Sequence, residues 1–195
     1  MPQSFPCLAL ALALSALAGC ATADTSGGAI YEQGIKEAQA GNIDAAIGTL
    51  KRGATTYPDN PRIRLELARL QLEKGEPFHL QECNLRRQQA DQLESSQPQE
   101  AQQSQREANA MRTRALPWYQ AARENLEVVI SLEEEPEMLA WASELAMKAA
   151  VFFEDWRAAY DHLKRAIEKG KPSGQRLSDW RNYQAALREK IGPDY

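Results

Sequence analysis

The chain has 195 residues, of which 43% are apolar and 26% charged, and its formal net charge is −4. That balance fits one mid-sized folded domain and excludes a chain disordered throughout. A mildly acidic chain is also a poor candidate for non-specific nucleic-acid binding, which depends on neutralising phosphates, so no nucleic-acid partner is expected. Three cysteines, Cys7, Cys20 and Cys83, supply no disulfide framework, because the first two fall in or at the end of an apolar leader. The domain must be held by packing.

No Lys, Arg, Asp or Glu precedes Asp24. Leu8 to Ala18 is an apolar run rich in Leu and Ala, shorter than the roughly 20 residues a bilayer span needs but suited to a signal-peptide core. It ends in Leu17-Ala18-Gly19-Cys20, which resembles the bacterial lipobox. The resemblance implies a signal peptide over residues 1–19 and a lipidated Cys20 as the first mature residue, anchoring the chain to a membrane. Ala21 stands where an Asp tends to hold such proteins in the inner membrane, so the resemblance implies the outer membrane and a periplasm-facing domain. Met1 to Pro6 lacks the basic residues usual in such leaders. The alternative is an ordinary leader with Cys20 incidental. Residues 20–29 are small and polar and read as a flexible tether.

From Ile30 the periodicity becomes helical. Tyr31, Gly34, Ile35 and Ala38 share one side of a helix, and Gly41 stops it at a left-handed C-terminal position. Asn42 is placed to cap a second helix that carries Ala45, Ala46, Ile47, Leu50 and Ala54, ending at Pro58 and Pro61. This pair resembles the tetratricopeptide repeat, two antiparallel helices recurring every 34 residues or so. Gly34, Gly41, Ala46, Leu50 and Pro58 carry the likeness.

Arg62 to Lys74 predicts the next helix, with Gly75 as its stop. A Gln-rich polar stretch follows, and the missing second helix resumes at Ala115, with Pro117 in its first turn. Residues 76–114 therefore read as an insertion inside the second repeat, shaped as two helical arms broken at Ser95-Ser96-Gln97-Pro98. Leu139 to Phe153, then Asp155 as the cap of a helix bearing Trp156, Ala159 and Leu163, make a third repeat. Ala159 and Leu163 align with Ala46 and Leu50. Gly170 and Pro172 end it, and residues 171–195 supply a capping helix with Leu177, Trp180, Tyr183, Leu187 and Ile191 on one face. The expected fold is all-α: a short right-handed solenoid of about three helical hairpins over residues 30–170, with the insertion and the C-terminal cap.

The sequence offers no catalytic constellation, and no cofactor or metal is expected. His79 and Cys83 stand four apart on a helix, but two ligands do not make a metal site. His162 lies on a helix face expected to be exposed, with no Ser or Cys in a triad context. Glu133 to Glu137 reads as a solvated helix end. In the repeat family the first helices line a groove, which by register implies Tyr31, Ile35, Arg69, Glu73, Lys148 and Phe152 as partner-binding residues. The plainer reading makes Arg69 with Glu73, and Glu144 with Lys148, surface pairs worth about 0.2–0.5 kcal/mol each. The resemblance implies a lipid-anchored scaffold for protein partners in an envelope assembly, secretion or pilus-type complex. The alternatives are an enzyme or accessory of peptidoglycan or envelope metabolism, and self-association through residues 78–114.

Overall fold

The computed structural model describes residues 27–192; the leader, Cys20 and the tether as far as residue 26 lie outside the described residues. Seven helices follow one another among the described residues. They are α1 (Gly28–Gln39), α2 (Ile43–Thr56), α3 (Pro61–Glu94), α4 (Pro98–Leu132), α5 (Pro136–Phe152), α6 (Trp156–Gly170) and α7 (Gly174–Ile191). Gly28 and Ala29, read as the end of the tether, are helical.

Gly41 and Asp155 build the turns they mark in the sequence, and Asn60 adds a cap that was not expected of it. Gly41 has φ +79°, a left-handed conformation that costs glycine little. Asn60 caps α3 by accepting from the Ile63 N–H at 3.0 Å. Asp155 caps α6 by accepting from the Ala158 N–H at 3.1 Å. Asn42 occupies the N-cap of α2 but makes no side-chain bond there.

Each hairpin closes on an Ala and a Leu one turn apart. Ala46 with Leu50, Ala122 with Leu126, and Ala159 with Leu163 are all fully buried. The small residue lets the backbones approach while the Leu fills the gap beyond it. Gly34 belongs to the same design, since a Cβ there would sit 2.7 Å from the Leu50 side chain. The first and third hairpins thus match the register expected of them, and α4 supplies the same pair for the second.

The two longest helices correct the sequence reading. Gly75 does not stop α3, and Pro117 does not open a helix; α3 runs through Gly75 and Pro77, and α4 through Pro117. The cause is packing. Ala101, Ala108, Ala115, Ala122 and Val129 recur every seven residues, and each is at most 2% exposed. This heptad seam lets α3 and α4 lie side by side as an antiparallel pair, and tertiary contact overrides the local breakers. Opposite it, Gly75 provides clearance, because an added Cβ would stand 2.8 Å from the Tyr119 ring and 3.1 Å from Trp118 Cβ. Gly75→Ala should therefore destabilise by about 1–2 kcal/mol, overpacking outweighing the gain in helix propensity. Urea denaturation would test the sign, and a gain in stability would refute the clearance role.

Polar groups also tie the pair. Asn125 donates to Gln71 Oε1 at 3.2 Å and accepts from Arg64 at 3.0 Å. Further out, Glu82 is 1% exposed and accepts from Arg86 Nε at 2.9 Å and Arg112 Nη1 at 3.2 Å. Arg112 also donates to the Phe152 carbonyl at 3.1 Å, so this cluster joins the arm to the end of α5. Burial alone would push the Glu82 carboxyl up, but the hydrogen bonds from Arg86 and Arg112 hold it below the usual carboxylate range.

His162 departs from the exposed placement expected of it. It is half-buried, and its Nδ1 is buried with no hydrogen-bond partner. Burial, then the Arg165 charge, lowers its pKa below 6.5, with Arg123 adding to the shift and Asp161 and Asp155 opposing it. A depressed imidazole costs nothing while both folded and unfolded forms are neutral. The contribution of His162 to stability should therefore be flat above about pH 6.5 and fall as pH drops below it, where the unfolded chain takes up the proton first. Melting curves of the wild type and His162→Gln between pH 5 and 8 would check this. A slope shared by both proteins would assign it elsewhere.

Candidate docking face

One face of the molecule is built from the odd-numbered helices. Helix α1 contributes Tyr31, and the others give stripes at spacings of three and four: Arg62, Leu65, Arg69, Leu72 and Glu76 on α3; Met138, Trp141, Leu145 and Lys148 on α5; Arg176, Trp180 and Tyr183 on α7. Between the stripes lie four cavities of about 400, 420, 330 and 470 Å³. The second and third cavities share Glu76, Tyr119 and Lys148, the first and fourth share Glu137 and Trp141, and Trp180 lines both the second and the fourth, so the four form one continuous belt. Helix α7 joins it as a fourth first-helix. Its Leu187 is buried and Trp180 half-buried against α6, but Tyr183 remains 41% exposed and lines the belt.

The expected groove residues divide. Tyr31 lines the first cavity, and Arg69, Glu73 and Lys148 line the third. Ile35 is half-buried and lines none of the four. Phe152 is a correction: it is 1% exposed, stacked on Tyr119 with ring centroids 4.1 Å apart and edge-on to His79 at 5.2 Å. A plain repeat leaves that end of the first helix open. Here Tyr119 and Arg112 of α4 cover it.

Missed by the register argument were Trp141 and Met138, one turn apart on α5, and the α7 residues. In the sequence Trp141 falls inside the apolar run from Leu139 to Phe153, and Trp180 and Tyr183 fall on the apolar face of the capping helix, whereas Met138 carries no signal of its own. Trp141 is 42% exposed.

The electrostatics of the face are mixed with an acidic excess. Arg69 is held between Glu66, at 2.9 Å from Nε to Oε2, and Glu73, at 2.9 Å. The expected Glu144–Lys148 pair is replaced by a bridge from Arg176 of α7 to Glu144 at 2.6 Å. That bond helps clamp the last helix to α5. Burial, then the Glu66 charge, pushes the Tyr31 phenol up, so it stays a neutral hydrogen-bonding group here.

Cys83 Sγ lies 3.8 Å from His79 Nε2, and Glu82 holds the same imidazole from the other side at 3.5 Å. No group of three or more His, Cys, Asp or Glu among the described residues is arranged to hold a metal ion. Burial raises the Cys83 thiol above its ordinary pKa, which keeps it a poor nucleophile. No described helix is long and apolar enough to cross a membrane.

Comparison with known proteins gives one match. Residues 37–77 fit the tetratricopeptide repeat family model, covering the end of α1, α2 and the first half of α3 as far as Pro77. No curated protein and no solved structure matches the chain. The matched segment joins the second helix of one hairpin to the first helix of the next, and it ends where the long arm departs. Together with seven helices in hairpin order among the described residues, it supports a tetratricopeptide repeat over residues 37–77 within an all-helical fold consistent with a helical solenoid.

Proposed function

We propose that the protein is a lipid-anchored adaptor of the bacterial envelope that docks a protein partner on the α1–α3–α5–α7 face. Tetratricopeptide repeats in general mediate protein–protein interaction, and the observation that carries the reading here is the continuous belt with a half-exposed Trp141 shared by two of its cavities. Exposed aromatics in a partly desolvated trough are the usual anchors of binding energy. The lipobox-like Leu17-Ala18-Gly19-Cys20 supports a thioether-linked lipid at Cys20, and Ala21 supports the outer membrane, with the face turned to the periplasm. The adaptor would serve an assembly, secretion or pilus-type complex.

Two experiments test this. Cys20→Ser should move the protein from the membrane to the soluble fraction; continued membrane retention would remove the anchor. A photo-cross-linker placed at Trp141 should trap one defined partner in membranes, whereas one at Thr56, on the opposite helix layer, should not. Equal capture from both positions would count against a dedicated face. Self-association through residues 78–114 is the competing outcome. Sedimentation of the full chain would reveal it as an oligomer dissolved by Leu93→Glu at the exposed arm tip.

A further inference from the structure

The most apolar part of the belt lies where the repeat meets the arm. There α3, α4, α5 and α7 line a cleft of about 420 Å³. Tyr119, Met147 and Val151 line it, with Leu80 and Tyr183 at its edges. Leu80 is 57% and Tyr183 41% exposed, so two large side chains stand in water with apolar surface facing the same space. The cleft exists because the hairpin α3–α4 continues past the point where a simple repeat would turn, placing Leu80 opposite α7.

The rim charges are unequal. Glu76, Glu144 and Asp179 stand against the single Lys148. Glu144 is engaged by Arg176 at 2.6 Å, and Asp179 accepts from a neutral Gln175 amide at 2.7 Å. Glu76 and Asp179 are both exposed, on opposite lips of the cleft. An apolar hole between two acidic lips discriminates by charge as well as by shape.

Resting on the adaptor reading, we propose that this cleft receives a short amphipathic helix of the partner that inserts one large apolar side chain and carries Lys or Arg one turn to either side. The volume lies in the range of side-chain and small-ligand sites. One turn of helix, about 5.4 Å, separates an anchor from its flanking charges. A second copy of this chain fits poorly, because it would bring its own acidic lips and a net charge of −4. Anionic lipid headgroups meet the same repulsion.

The test uses the purified full chain and two fluorescent synthetic helical peptides of equal length. Each has one central Leu-Trp anchor; one is flanked by Lys, the other by Glu. Anisotropy titrations should show the Lys peptide binding at least about tenfold tighter, with the preference shrinking as salt rises. Leu80→Ser and Tyr183→Ser should each weaken it about tenfold, with melting curves confirming that both variants fold. The double variant Glu76→Lys with Asp179→Lys should reverse the preference between the peptides. Equal binding of the two peptides, or none, would overturn the inference. So would Lys-peptide binding that ignores Leu80→Ser and Tyr183→Ser. If that binding falls instead with Trp141→Ala, the cleft is wrong while the docking face stands; loss of the cross-linked partner at Trp141 would sink the adaptor reading itself.

Discussion

Phe152→Ala is expected to lower the unfolding free energy by about 3–5 kcal/mol, the range for truncating a fully enclosed aromatic. The ring is 1% exposed and stacks on Tyr119 at 4.1 Å with a 13° interplanar angle. The Arg112 guanidinium stands 4.9 Å from its centroid. Removing it would leave a void bounded by a rigid phenol and an imidazole, neither able to collapse into it. Trp141→Ala, one of the half-exposed groove positions, should shift stability by only about 0.5–1 kcal/mol, because water already meets much of its surface. Urea unfolding of both variants would separate a core aromatic from a docking aromatic. Comparable losses in the two would show that the face at Trp141 is less open than described.

Arg112→Ala should cost about 2–3 kcal/mol, less than breaking an isolated buried pair because Arg86 still holds one Glu82 oxygen. The reverse change, Glu82→Leu, should cost less. Arg112 and Arg86 are about a third or more exposed and can be rehydrated, whereas the Glu82 side chain is 2% exposed and cannot. Adding Glu82→Leu to Arg112→Leu should recover most of the loss, since apolar replacement of a buried ion pair is often neutral. Thermal melts of the two single variants and the double variant would check this. A double variant no better than Arg112→Leu alone would mean that Arg112 acts through the Phe152 carbonyl and not through the carboxylate. The pH dependence has a sign as well. Because the folded carboxyl is held below its ordinary range, its contribution is full above the unfolded-state pKa and is lost as pH falls through the folded one.

How much of this was legible in the sequence depends on whether the cause is local. Ala46 with Leu50 and Ala159 with Leu163 could be aligned by register, because each pair is fixed within its own hairpin. Gly41 and Asp155 act on their own backbone and neighbouring N–H groups. Gly75, Pro77 and Pro117 look like punctuation for the same reason, yet a second helix overrules them. The clue was a periodicity of seven in the alanines from Ala101 to Ala122, which the thin apolar content of the insertion obscured. Phe152 fell to the same distant cause, since only the path of α4 reveals what covers it. Trp141 was hidden differently. A tryptophan in a strongly apolar helix reads as core until the gap between α3 and α5 is seen.

The alanine seam has a mechanical consequence. On the α4 side the seam consists of methyl groups with no rotamers to rearrange, and Ser104 donates to Gln92 across it at 2.8 Å. From Arg112, which grips α5, to Pro98 at the turn is about 20 Å of helix at 1.5 Å per residue. The hairpin should behave as a stiff strut welded to the α5 end, so that load applied at Ser95–Gln97 is delivered to the Glu82–Arg112 junction and the adjacent cleft instead of being lost in bending.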